Sequence, residues 1–230
     1  MALFTSGGTV GQISGRVGGI VYSRNKGGSY IRNGTIPTTS TTAAAIAAKT
    51  RLGNASTAWM SLTDAQRAAW KAWAAENPVL NRLGQSIILP ANAAYISLAT
   101  RMALIGETAA TAPPIIPPPD GLLTCDAEWD IGVGDFELNY TATPLGANEK
   151  LFLYAAVSNS DSINFVENTK RYVGVSAAAQ ASPYDAQTQI EAVFGSLQVG
   201  QKVTIDAHVI DTANGQLSRA LRNSGIIVST

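Results

Sequence analysis

Three carboxylates occupy alternate positions in the segment CDAEWD, where Asp126, Glu128 and Asp130 would line one face of a β-strand, with Asp135 nearby. Oxygen-rich clusters can bind calcium, and paired carboxylates can hydrolyse glycosidic bonds. However, the spacing is not that of an EF-hand, and charged residues on edge strands also protect against aggregation. We therefore expect a solvated acidic face and predict neither a metal site nor a cofactor. A bound ion and a glycosidase pair are the alternatives.

Nucleophilic catalysis would need a base, and His208 is the only histidine in the chain. A Ser-His-Asp mechanism also needs a positioned serine, but no Gly-x-Ser-x-Gly elbow is present. In TIDAHVID, alternation puts Asp206, His208 and Ile210 on one strand face, and we predict an exposed histidine there. The single cysteine, Cys125, excludes an internal disulfide and the usual zinc clusters, and we predict that it is a small residue within a strand. The sequence thus predicts a protein that is not an enzyme.

The segment VGGIVYSRNKGGSYIRNG, residues 17–34, is rich in glycine, arginine and tyrosine. It has neither the Gly-x-x-x-x-Gly-Lys-Ser/Thr pattern of a phosphate loop nor a Gly-x-Gly-x-x-Gly fingerprint. Because two strand-like runs flank NKGGS, the pattern predicts a β-hairpin with its turn at residues 25–28 and with backbone edges free to pair with another subunit. A nucleic-acid arm is an alternative, but the basic charge is sparse for that role. The predicted partner-binding residues are Arg16, Tyr22, Arg24, Lys26, Tyr30 and Arg32.

A proline-rich segment, TAATAPPIIPPPDG at residues 108–121, divides the chain, because its five prolines favour an extended spacer. Residues 1–112 contain ten Lys and Arg against three Asp and Glu, whereas residues 113–230 contain six against thirteen. The overall neutral charge therefore conceals a strong asymmetry between the two halves. We predict a multidomain α+β chain with an extended basic arm (1–41), a helical unit (42–107), a Pro-rich linker (108–120) and a β-sandwich (121–230).

Three helices are expected in the helical unit. An alanine-rich run begins near residue 42, and Thr63 with Gln66 three residues later forms a capping box for the second helix. The third helix lies in PANAAYISLATRMALIGE, where apolar residues recur at helical spacing. We predict that the tryptophans of this region form a core and do not form a stacking platform for nucleic acid. The residues in question are Trp59, Trp70 and Trp73, and along the third helix Tyr95, Leu98, Met102 and Ile105.

The region after residue 120 consists of short alternating or apolar runs. They are LLTCDAEW, FELNYTA, KLFLYAAV, RYVGVSA, QIEAVFGSL, KVTIDAHVID and GIIVS. Seven such strands in roughly 110 residues are typical of an immunoglobulin-like sandwich, with a closed barrel as the alternative.

Two resemblances extend these predictions. The stretch LQVGQKVTIDAHVIDTANGQLS, residues 197–218, resembles the end of a fibronectin type III domain, although Val203 stands where that family usually has tyrosine. Residues 14–107 resemble a group of phage and prophage proteins, mostly without assigned activity, that open with a Gly-x-Val-Gly-Gly strand and a Tyr-x-Arg turn. The tryptophans and the Asn-Arg-Leu-Gly turn at residues 81–84 match that group as well. The second resemblance implies a virion structural protein.

These patterns predict a capsid decoration, or cement, protein of a bacteriophage. It is expected to form homo-oligomers, to bind the major capsid protein or another virion protein through its N-terminal region, and to project the sandwich outward. The alternatives are a tail or connector component, a host glycan- or receptor-binding module, and a nucleic-acid-binding arm. Because no signal peptide or membrane span is evident, we expect synthesis in the host cytoplasm, location in the virion and no membrane partner.

Overall fold

The computed structural model of the chain describes residues 2–3, 8, 13–25, 28–36, 41–80, 85–131, 136–141, 143 and 145–229. In these residues four helices accompany antiparallel strands arranged in four sheets, which confirms the predicted α+β class. The chain divides into two compact units, Met1–Ala47 and Ala48–Thr230.

The first unit contains a four-stranded sheet in the order β1-β4-β3-β2, formed by β1 (Ala2–Leu3), β2 (Gly15–Val17), β3 (Ile20–Asn25) and β4 (Gly28–Asn33). Pairing of Asn25 with Gly28 at the ends of β3 and β4 confirms the predicted hairpin. Gly18, between β2 and β3, has a φ of 57°, which glycine adopts without steric cost. Because the chain reverses there, β2 pairs with one edge of the hairpin, and β1 pairs with the other. The prediction that both hairpin edges are free is therefore wrong.

Three helices follow, and a short hairpin separates the second from the third. They are α1 (Ala43–Ser61), α2 (Asp64–Glu76), β5 (Val79–Leu80), β6 (Ser86–Ile87) and α3 (Ala91–Leu104). The predicted capping box begins α2, because the Thr63 amide donates to Gln66 Oε1 at 2.8 Å and the Gln66 amide donates to Thr63 Oγ1 at 3.3 Å. The turn predicted at residues 81–84 lies outside the described residues.

The helices share an apolar cluster centred on Trp70, which is 1% exposed. The Trp70 ring meets the Tyr95 ring edge to face, with 5.3 Å between the ring centroids. Trp59 and Trp73 are partly buried against the same cluster. The prediction that the tryptophans form a core is confirmed.

The remaining strands form two antiparallel sheets that contribute side chains to one apolar core. The order β11-β8-β7 forms one sheet, and β10-β9-β12-β13 forms the other. The core includes Leu138 from the first sheet and Leu153 and Ile205 from the second, none of them more than 1% exposed. The strands are β7 (Thr124–Ala127), β8 (Glu137–Thr141), β9 (Glu149–Ser158), β10 (Arg171–Ala178), β11 (Tyr184–Asp185), β12 (Lys202–Asp211) and β13 (Leu221–Ile226).

One predicted strand, QIEAVFGSL, is wrong, because the chain there forms the helix α4 (Gln187–Phe194). Its glutamines, glutamate and alanine favour helix, and Ile190 is fully buried in the core shared by the two sheets. Gly195 ends the helix with a φ of 87°. Ile190 is the buried residue of this helix, and a run with so few buried positions does not distinguish a helix from a strand in the sequence.

Helix α3 also packs against the second sheet. Met102 and Ile105 form a buried cluster with Phe152 of β9 and Ile210 of β12. The α3 backbone lies close to the loop after β12, because a Cβ added at Gly215 would lie 3.0 Å from the Leu98 carbonyl oxygen. Residues 107–123 contain no helix or strand, as expected of a Pro-rich linker. The prediction that this linker divides the chain is wrong, because the helices before it pack against the second sheet after it, within one compact unit.

Candidate protein-docking surface

The strand register of the first unit distributes the predicted partner-binding residues over both faces of its sheet. Residues directly opposite each other in antiparallel strands have side chains on the same face. Arg16 pairs with Val21, which pairs with Arg32, so the two arginines share a face. Tyr30, two residues before Arg32 on β4, lies on this face as well. We call Arg16, Tyr30 and Arg32 the basic face.

The opposite face carries Tyr22 and Arg24. Along β3 these two residues alternate with the residues that pair with Tyr30 and Arg32. Val17 and Ile20 pair with each other on this second face and are 72% and 42% exposed. Lys26 lies outside the described residues. Of the six predicted residues, the structure thus brings three together on one face and two on the other.

Neither face of this sheet has a packed core on the described residues. Of the side chains whose exposure is described in residues 13–24, 29–36 and 41–47, none is buried. A sheet normally buries one face against another layer, and an open sheet with exposed branched apolar residues is typical of a surface that binds a partner. The first unit therefore offers two faces on which another protein could pack.

The charge of the first unit is wholly positive, with four basic and no acidic residues in Met1–Ala47. Arg16 is held in place, because its Nε donates to the Gly18 carbonyl at 2.9 Å, and its guanidinium lies beside Gly34. A bound partner would thus meet an arginine whose position is already fixed, at low cost in side-chain entropy.

Only part of the predicted acidic face lies on a strand, because β7 ends at Ala127. Asp126 and Glu128 are exposed, whereas Asp130 is half-buried and its backbone forms an isolated parallel β-bridge with Val228. Asp135 lies outside the described residues. Within the part of the chain that the structure describes, no cluster of three His, Cys, Asp or Glu residues could hold a metal ion.

The two candidate catalytic side chains lie in structural settings. His208 is half-buried, so the prediction of an exposed histidine is wrong, and its Nδ1 lies 2.9 Å from the Ser218 carbonyl oxygen. Burial lowers the pKa of His208. Cys125 lies in a strand, β7, as predicted. It is buried, and burial, with the nearby charge of Asp126, raises its pKa to about 11.

A buried ion cluster escaped the sequence analysis. Asp206 of β12 is 3% exposed and accepts hydrogen bonds from Lys170 Nζ at 2.6 Å and from Arg222 Nε at 2.6 Å. Glu167 contacts the same two cations at 2.8 Å and 2.6 Å. The available signal was an aspartate between the apolar residues Ile205 and Ala207 of a strand, which indicates a buried charge but not its partners.

Comparison of the chain with protein-family models, with curated proteins and with solved structures gave no match. Among the described residues, no helix is long and apolar enough to cross a membrane.

Proposed function

We propose that this chain is a non-enzymatic structural protein of a bacteriophage virion, a decoration protein that docks on an acidic capsid protein through its first unit. The observation that carries the proposal is the four-stranded sheet without buried side chains on its described residues. The sequence resemblance of residues 14–107 to phage and prophage proteins supports the virion as its location. Homo-oligomers on the capsid surface would follow the symmetry of the shell.

Charge supports the direction of docking. The first unit has only basic charges, whereas residues 48–230 contain twelve basic and sixteen acidic residues. Complementary charge steers association and suppresses the wrong orientation. The first unit is therefore the part that meets the acidic partner, and the acidic part of the chain faces away from the shell.

We further propose that residues 121–230 form an immunoglobulin-like sandwich of the fibronectin type III kind. In constant-type immunoglobulin sandwiches, the third, sixth and seventh strands share one sheet, and the first, second and fifth share the other. Strands β9, β12 and β13 take the former places, and β7, β8 and β11 take the latter. The fourth strand, β10, pairs with β9 and so extends the second sheet. Such a module suits a projecting surface domain.

Two matched charge reversals test which face docks. Arg32→Glu alters the basic face, and Arg24→Glu makes the same change on the opposite face, on the neighbouring strand. Both arginines are exposed. We expect Arg32→Glu to reduce incorporation into virions at least tenfold and Arg24→Glu to have little effect. Quantitative immunoblotting of purified virions, with negative-stain imaging of antibody-labelled particles, measures both. Wild-type incorporation of both variants would contradict the proposal, and loss with Arg24→Glu alone would assign docking to the other face.

A nucleic-acid role is the competing hypothesis, because the basic face places Tyr30 beside two arginines, a combination that can also contact phosphates and bases. That role requires binding to DNA that weakens steeply with salt. Fluorescence anisotropy with a labelled single-stranded and a labelled duplex DNA at two ionic strengths tests it. Salt-sensitive binding that Arg32→Glu abolishes would favour nucleic acid over the capsid protein.

A further inference from the structure

A small cavity lies among the end of α2, the β5–β6 hairpin and α3, with a volume of about 90 Å³. Most of its wall is apolar and includes Trp73 and Leu98. The cavity is well below the roughly 300–1,000 Å³ of pockets for drug-sized ligands, so it suits a short side chain or a small acid. Its polar lining residues are Asn77, Ser97 and Arg101.

Arg101 lines this apolar wall, and it has no counter-ion among the residues that the structure describes. Its side chain is half-buried and makes no hydrogen bond or ion pair with any residue that the structure describes. By contrast, Lys170 and Arg222 both contact the buried carboxylate of Asp206. Burial lowers the pKa of Arg101, with an opposing effect of Tyr154, yet an arginine in a protein keeps its charge. A partly desolvated cation without an anion is costly unless a ligand supplies one.

Val79 lines the cavity and pairs with Ile87 across the β5–β6 hairpin, so both apolar side chains lie on the hairpin face that borders the cavity. We call these two residues the hairpin patch; they are 39% and 41% exposed. A small pocket with one cation, surrounded by apolar contacts that exclude water, is the usual anatomy of a binding hot spot.

We propose that this cavity binds the carboxylate of a glutamate side chain on a partner protein, with Arg101 as its counter-ion and the hairpin patch in contact with apolar neighbours of that glutamate. The planar guanidinium matches a carboxylate and can bind both of its oxygens. Ser97 lies one turn before Arg101 on α3 and adds a hydroxyl donor to the same wall. The aliphatic stem of glutamate suits the apolar lining. The site is in the second unit, so it stands whether or not the first unit docks on a capsid.

Propionate, which reproduces the end of a glutamate side chain, is the first probe, and propionamide is its neutral control. Nuclear magnetic resonance of the full chain follows the Trp73 indole N–H and the Arg101 Nε–H during titration. We expect saturable shifts with propionate, and binding at least tenfold weaker with propionamide or in Arg101→Gln. Lys71→Gln removes the same charge from an exposed position of α2 and should bind propionate as the wild type does.

A Leu-Glu-Leu tripeptide with blocked ends tests the partner surface, and its Leu-Gln-Leu analogue is the control. We expect the glutamate peptide to bind at least tenfold more tightly than propionate, because its leucines reach the hairpin patch. Equal affinity of the glutamate peptide and propionate would overturn the assignment to a protein partner. Should Arg101→Gln not fold, as judged by thermal unfolding, Arg101→Lys replaces it and is expected to retain only part of the binding.

Three further results would overturn the proposal. They are the absence of saturable propionate shifts, equal binding of propionamide, and an equal loss in Lys71→Gln and Arg101→Gln. Sedimentation velocity addresses the remaining occupant, a second copy of this chain. A dimer that Arg101→Gln disperses would show that the carboxylate comes from the same protein and would overturn the assignment to a different one.

Discussion

Replacement of Asp206 by asparagine is the sharpest test of what stabilises the second sheet. The Asp206 carboxylate accepts three charge-assisted hydrogen bonds, from Lys170 Nζ at 2.6 Å, Arg222 Nε at 2.6 Å and Arg222 Nη2 at 2.9 Å. Its own side chain is 4% exposed, whereas those of Lys170 and Arg222 are 20% and 44% exposed. Asparagine keeps the shape but removes the charge and turns an amide donor toward one of the cations.

The expected loss follows from these contacts. A hydrogen bond to a charged group contributes about 1.5–3 kcal/mol, and breaking a buried pair costs about 3–5 kcal/mol. Because Arg222 is accessible to solvent, water replaces part of what is lost. We therefore expect Asp206→Asn to lower the free energy of unfolding by about 2–3 kcal/mol at pH 7. Urea denaturation followed by tryptophan fluorescence measures it.

The pH dependence gives the prediction a second readout. Burial alone would raise the pKa of Asp206, but hydrogen bonds from Arg222 and Lys170 outweigh burial, and the pKa is lowered from 3.8. A lowered pKa in the folded state adds stability above the ordinary value, and this stability is lost as the pH falls through the folded-state pKa. The difference between wild type and Asp206→Asn should therefore be full at pH 7 and shrink below about pH 4.

Glu167→Gln is the matched control, since Glu167 contacts the same two cations but its side chain is 49% exposed. It should destabilise the chain much less than Asp206→Asn does. Equal losses in the two variants, or a difference that persists unchanged at pH 2, would refute the reasoning that burial gives the Asp206 pairs their strength.

Three further predictions concern the glycine contact, the helix cap and the cysteine. Gly215→Ala should lower the free energy of unfolding by about 2–4 kcal/mol, because the added methyl group would lie too close to the Leu98 carbonyl oxygen of α3 and the positive φ adds backbone strain. Gly200→Ala, with a positive φ but open space around its Cβ, should cost only about 1 kcal/mol in the same urea titration. Thr63→Ala should lower stability by about 1 kcal/mol, because it removes the acceptor for the Gln66 amide; thermal unfolding measures it. Cys125, buried and with a pKa of about 11, should resist iodoacetamide at pH 8 and gain one adduct by mass spectrometry only after unfolding.

The sequence predicted the features that depend on residues close to one another in the chain. The capping box at Thr63 and the apolar spacing of Tyr95, Leu98, Met102 and Ile105 each involve residues within a few turns of one helix, and the structure has both. In the first unit, the NKGGS turn predicted the hairpin. These features depend on neighbours in sequence, which is why the sequence alone sufficed.

Long-range packing was not accessible in this way. Asp206 lies 36 residues from Lys170 and 16 from Arg222, and no local pattern pairs them. Alternation failed to predict the partial burial of His208, because β12 contributes to apolar clusters on both of its faces and seven of its ten residues are buried. The division of the predicted partner-binding residues between two faces also required the register, which Gly18 and the β2 pairing determine.

Helix α3 explains why the predicted linker does not separate two independent domains. Tyr95 and Leu98 pack in the helical cluster, whereas Met102 and Ile105, further along the same helix, pack against Phe152 and Ile210. Burial of a large apolar side chain contributes about 1.5–3 kcal/mol, so separating the helices from the second sheet would expose several such side chains at once. Lys150 and Glu107 add an ion pair of 3.1 Å across the same contact. A partner that binds either the helices or the second sheet therefore moves the other with it.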